Sequence, residues 1–97
     1  MELEPIFKKR KYIGPLEYTA HYKFDHFRCH LRVSEAGIKI VITGGAEGFG
    51  EPGEQFIFFQ KAASLDEAIK IAESLPKIGP DDAEKYGFEK ISYAILN

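Results

Sequence analysis

From Leu16 to Val33 the chain alternates apolar and polar residues with a period of two. Leu16, Tyr18, Ala20, Tyr22 and Phe24 interleave with polar neighbours, and so do Phe27, Cys29, Leu31 and Val33. That period belongs to strands with one buried face. A two-residue turn at Asp25-His26 sets Phe24 opposite Phe27, Tyr22 opposite Cys29, Ala20 opposite Leu31 and Tyr18 opposite Val33. Every apolar residue then meets an apolar partner, as a half-buried antiparallel pair requires. The loop Ser34-Glu35-Ala36-Gly37 continues the meander, with Val33 against Ile38, Leu31 against Ile40 and Cys29 against Ile42. A helix is the competing reading, because Leu16, Ala20, Phe24, Phe27 and Leu31 also fall at helical spacing, with Pro15 in the first turn and Gly37 as the stop. It leaves Tyr18, Tyr22 and Val33 off the apolar stripe and uses many middling helix formers, so strands are expected.

Ahead of the meander, Ile6–Ile13 reads as a first strand or an arm, ended by Gly14-Pro15. Behind it, Gln55–Gln60 is apolar on both faces, as an interior strand would be. Ser64-Leu65-Asp66-Glu67 is a capping-box signature. Leu65, Ala68, Ile69, Ala72 and Leu75 line one face of the helix it opens, which Pro76 closes. Pro80-Asp81-Asp82 suits the start of a short second helix, with Gly87 as its stop. Glu89–Leu96 is a last strand, with Ile91, Tyr93 and Ile95 on one face. The expectation is one α+β domain over residues 1–97: a mostly antiparallel sheet, made of an N-terminal three-stranded meander plus two later strands, with a main helix at 64–75 and a short helix near 80–86. One helix cannot cover both faces of the late strands, so self-association as a homodimer is expected.

Composition narrows the class. Hydrophobic residues at 44% and charged residues at 29% suit a globular chain rather than a disordered one. No apolar run approaches the ~20 residues of a membrane-spanning helix, and Met1-Glu2-Leu3-Glu4-Pro5 does not read as a signal peptide. The single Cys29 cannot form an internal disulfide, which points to the reducing cytoplasm. A charged set dominated by Glu and Lys, with few Asn, Gln, Met and Cys, is a thermophile trait. Charge is split along the chain: residues 1–43 carry 8 basic against 5 acidic residues, and residues 44–97 carry 5 against 10, matching the net −2.

Five of the nine glycines lie in Thr43–Glu54, TGGAEGFGEPGE, after the apolar run Ile38–Ile42. Glycines allow close backbone approach to a ligand, so Gly44, Gly45, Gly48 and Gly50 are candidate ligand-binding positions. The spacing resembles the dinucleotide loop of short-chain dehydrogenases, but such a loop must open a helix. Pro52-Gly53 and the strand-like Phe56-Ile57-Phe58-Phe59 oppose that, and a connection between sheet strands is the plainer reading.

His21, His26, Cys29 and His30 crowd one region. On strands, His21 and His30 sit side by side on the polar face and are candidate ligand contacts. They fall short of the four ligands of a structural zinc site, and no metal or cofactor is expected. Cys29 would face the core, away from His30, so no nucleophilic dyad forms and no catalytic residue is assigned. Lys23, Arg28, Arg32 and Lys39 share the polar face and make it basic. Such a face can hold single-stranded nucleic acid where aromatics stack the bases, but the tyrosines and phenylalanines of the meander alternate onto the other side.

Three pieces carry a family resemblance: the strand Ile38–Thr43 entering a Gly-containing loop, Gly53-Glu54-Gln55-Phe56 entering the next strand, and Ser64-Leu65-Asp66-Glu67-Ala68 opening the helix. On these, residues 38–96 resemble the YCII-like and DGPF-type small proteins. Gly45-Ala46-Glu47 stands where the DGPF tetrapeptide would fall. The resemblance implies an alternative ferredoxin-like βαββαβ fold and dimerisation through sheets. A small enzyme of that dimeric type, with a site under the Gly-rich loop and His21 or His30 as its acid–base group, is the alternative functional reading. In overall texture the chain looks like small proteins of hyperthermophilic archaea. The residues themselves favour a homodimeric binding or interaction module, with the 43–54 loop and the basic face as contacts for a small ligand or protein partner. Nucleic acid is the further candidate partner, and no membrane is expected.

Overall fold

The computed structural model describes residues 8–11, 16–44 and 53–96. Within them six strands form one antiparallel sheet in chain order: β1 (Lys8–Lys11), β2 (Leu16–Phe24), β3 (Phe27–Ser34), β4 (Gly37–Gly44), β5 (Gly53–Lys61) and β6 (Glu89–Leu96). The helix α1 (Leu65–Ser74) and a 3₁₀ turn at Ala83–Tyr86 lie between β5 and β6. The expected α+β class is the one adopted. The ferredoxin-like βαββαβ alternative is not: it needs residues 16–33 as a helix, and they form β2, a turn and β3, with every strand paired to its chain neighbour.

The meander register follows the alternation. Phe24 pairs with Phe27, Tyr22 with Cys29, Ala20 with Leu31 and Tyr18 with Val33. Cys29 then meets Ile42, Leu31 meets Ile40 and Val33 meets Ile38. Asp25 takes the left-handed conformation in the β2–β3 turn (φ 56°), which a short polar side chain tolerates.

Ala20, Leu31, Val33, Ile38, Ile40, Ile42 and Phe58 are each almost wholly enclosed on one face of the sheet. Burying a side chain of the larger kind contributes about 1.5–3 kcal/mol. Their cover is α1, through Ala68 and Ala72, and the segment after it, through Leu75, Ile78, Ala83 and Phe88. The helix begins where the capping box predicts. Ser64 Oγ accepts from the Glu67 amide at 3.2 Å, and the Glu67 carboxylate accepts from the Ala63 amide at 2.7 Å, one residue before the cap. Leu75 ends the helix in an extended conformation, as expected for a residue preceding proline. Gly87, at φ 90°, terminates the 3₁₀ turn.

The opposite face carries no packed helix among the described residues. Its side chains come from the odd positions of β2, β4 and β5 and the even positions of β3.

Candidate anion-binding sheet face

The register fixes this face as rows running across the strands; it is open at His21, Lys23, Arg28 and Arg32 and closed at Thr19, which is 3% exposed. One row is Thr19, Arg32, Lys39 and Phe59; the next is His21, His30, Val41 and Ile57; the third is Lys23, Arg28, Thr43 and Gln55. All four basic residues predicted for one face, Lys23, Arg28, Arg32 and Lys39, therefore share it. His21 and His30 meet as directly opposed cross-strand partners, with ring centroids 4.4 Å apart and planes 7° from parallel. A shallow depression of about 340 Å³ over the β2–β3 ladder is lined by His21, Tyr22, Lys23, Arg28 and Cys29.

Acidic groups are disposed differently. Asp66, Glu67 and Glu73 lie on α1, and Asp81, Asp82 and Glu84 flank or belong to the 3₁₀ turn, on the covered side. By register Glu89, beside Phe59, reaches the same face at its β6 border. Among the described residues, cations thus concentrate at the centre of one surface, in a chain of net charge −2, where they raise the local concentration of anions.

The alternation of the meander sends its own aromatics to the core side, as expected. The open face nonetheless gains an aromatic from β5. Phe59 is half-buried there, opposite Lys39, with its ring lying over Gly37. Val41 and Ile57, also half-buried, continue the apolar strip in the next row. The sequence of β5 gives Phe59 no face, because the strand is apolar at four successive positions. The signal that places it is the β4 partner: Lys39 is outward, so its neighbour across the ladder is outward too.

Gly45, Gly48 and Gly50 lie outside the described residues. Gly44 ends β4, between Phe27 and Glu54, and belongs to the core side of the sheet. His21 and His30 are on the other side, so Gly44 and the histidine pair do not converge on one site. A Cβ at Gly44 would stand 2.3 Å from the Phe27 ring; the absent side chain is the space Phe27 fills. Where description resumes, at Gly53, the chain is an antiparallel strand, so among the described residues no helix N-terminus directly follows the glycines to cradle a pyrophosphate. At its base, Phe27, Phe56 and Tyr93 form an aromatic cluster, Lys90 sits 5.8 Å from the Phe56 centroid, and the Tyr93 hydroxyl donates to Glu54 Oε1 at 2.9 Å.

Cys29 is buried beneath the basic ladder, facing away from His30. The Tyr22 hydroxyl beside it donates to the Ile78 carbonyl at 3.0 Å, tying β2 to the covering segment. Burial pushes the Cys29 thiol up from 9.0 to about 11. Burial also raises the Tyr22 phenol, helped by the neighbouring thiol. Both groups thus hold their protons longer in the folded chain than in the unfolded one. Their contribution is complete below pH 9 and is lost as pH rises toward the folded values. Denaturation in urea is expected to show about 2 kcal/mol less stability at pH 11 than at pH 8.5 from Cys29 alone, and Cys29→Ala is expected to flatten that slope. An unchanged slope in the variant would remove the thiol from this account.

Among the described residues no three His, Cys, Asp or Glu side chains gather as a metal set, and no helix is long and apolar enough to cross a membrane. Compared with models of known families, with curated proteins and with solved structures, the chain finds no match.

Proposed function

We propose that the chain is a non-enzymatic binding module whose open sheet face takes an anionic polymer, with single-stranded nucleic acid as the ligand class. The observation that carries this is the cluster of Lys23, Arg28, Arg32 and Lys39 around the stacked His21–His30 pair, bordered by the half-buried strip Val41, Ile57 and Phe59. Cations along β2–β4 would track the phosphates. The imidazole pair and Phe59 offer flat surfaces to bases, the combination that sequence-tolerant single-strand binders use. A small enzyme working under the Gly-rich loop finds less support, since the histidines and Gly44 face opposite ways. We also read the chain as self-associating, and its buried lone thiol suits the cytoplasm.

The test is a fluorescence-anisotropy titration with a single-stranded oligonucleotide across a salt series. Four phosphate contacts give a slope of log K against log salt near −0.7 per contact, or about −3. Lys23→Glu combined with Lys39→Glu is expected to lower affinity at least ~30-fold and to make the slope shallower by about 1.4, with the circular dichroism spectrum unchanged. Absence of binding at low salt, or binding indifferent to these substitutions, removes the reading.

A further inference from the structure

Among the described residues the sheet has two edge strands, and their chemistry differs. β1 reads Lys8-Lys9-Arg10-Lys11, four cations in succession. Charge on an edge strand is a standard defence against pairing with another chain, and two such strands would repel each other. β6 is the other border, paired to β5 and to no further strand among the described residues. Its charges, Glu89 and Lys90, are confined to its first two residues. From Ile91 to Leu96 it carries none. Three of the four large hydrophobics exposed among the described residues belong to this strand: Ile91 at 56%, Tyr93 at 48% and Ile95 at 59%. A β-bulge at Ile57/Phe58 leaves Ile91 without a β5 partner. Beyond it the strand is regular and uncharged, and no described residue pairs with its outer side.

We propose that β6 is the contact through which two copies of this chain pair, antiparallel about Tyr93, to make one continuous sheet of twelve strands. This rests on the self-association reading and names its surface. The row is self-complementary. In that register Tyr93 meets Tyr93 of the second copy, Ile91 meets Ile95, Ser92 meets Ala94, and Lys90 meets the uncharged Leu96. No like charges oppose each other, because the two Lys90 residues lie about 20 Å apart at ~3.4 Å per residue. Antiparallel self-pairing is isologous and closes after two subunits, whereas pairing β6 to β1 would be head-to-tail and open-ended. The two-fold axis stands perpendicular to the sheet, so both basic faces end on the same side, offering one anionic strand two attachment points. The contact is small against the ~1,000 Å² of a stable interface, and a weak dimer in the micromolar range follows.

Sedimentation velocity on the full chain from ~10 μM to ~1 mM, concentrations spanning the weak-interface regime, is expected to show a monomer–dimer equilibrium. Ile95→Lys, at a side chain already exposed, is expected to weaken it at least tenfold, with the fold checked by circular dichroism. Tyr93→Cys is expected to form a disulfide-linked dimer under mild oxidation, since directly opposed Cβ atoms lie ~4.5–5.5 Å apart. A dimer that survives Ile95→Lys but is lost in Ile57→Lys would overturn the β6 contact while leaving self-association intact. A chain that stays monomeric throughout would overturn both, and assemblies whose mass keeps growing with concentration would overturn the closed pairing. Failure of Tyr93→Cys to cross-link would overturn the register.

Discussion

Replacing Phe58 with alanine is expected to remove about 4 kcal/mol of stability, within the 3–5 kcal/mol span for buried phenylalanines. Phe58 is fully enclosed, faces Ile40 across the β4–β5 ladder, and stands beside Phe56 with the rings 12° from parallel. Both neighbours sit on rigid strands, so the vacated space cannot close easily and the cavity adds to the lost transfer energy. A domain of this size commonly has 5–15 kcal/mol in total, and each kilocalorie moves the midpoint by about 4–8 °C. The variant should therefore melt roughly 15–30 °C lower. The informative comparison is its neighbour. Phe59 points to the open face and is half-buried, so Phe59→Ala should cost only about 1–2 kcal/mol, the price of partial burial. Guanidinium titrations of the two variants measure the difference directly. Equal losses would mean that β5 is not one-sided as described, and the apolar strip of the candidate site would lose Phe59.

The meander is legible in the sequence because each of its strands buries one face only. A period of two then appears in the residues themselves, and a one-residue slip would turn every apolar side chain outward. The same logic put Lys23, Arg28, Arg32 and Lys39 together, and brought His21 beside His30. β5 shows the limit of that logic. Phe56-Ile57-Phe58-Phe59 is apolar at every position and carries no period, so its two faces are decided by β4, through contacts remote in sequence. The covering segment is legible only in part: Pro80-Asp81-Asp82 and Gly87 mark the 3₁₀ turn at Ala83–Tyr86, but not the packing around it. Residues 75–88 have no amphipathic repeat, yet they bring the Ile78 carbonyl to the Tyr22 hydroxyl and Phe24 across Gly79. The β6 edge shows a third limit. Alternation places Ile91, Tyr93 and Ile95 along one face, but only strand order reveals that nothing in the described chain lies beside them. Gly44 has a packing role that its motif does not announce: the space it leaves is taken by Phe27, its cross-strand partner.

Gly37 is the position where glycine is required by backbone rather than by motif. It pairs with Ser34 on one side and Lys61 on the other, at φ +145°, a conformation that L residues rarely adopt. A Cβ built there would stand 2.2 Å from the Gln60 carbonyl oxygen and 2.8 Å from the end of the Phe59 ring. The ring can swing away; the carbonyl is held in the sheet. Gly37→Ala must therefore strain the β4 backbone or part it from β5, with a loss of about 3 kcal/mol or more, since backbone strain alone reaches 1–3 kcal/mol. Gly44→Ala makes a matched contrast, because the obstacle there is the Phe27 side chain, which can turn, and overpacking of that kind costs about 1–3 kcal/mol. Hydrogen exchange separates the two. Gly37→Ala should lose protection along β4 and β5 together, while Gly44→Ala should perturb only the strand end near Phe27. If Gly37→Ala proved as stable as the parent, the close approach of β4 to β5 at this turn would be wrong. The position of Phe59 on the open face, which depends on the same contact, would have to be reassigned.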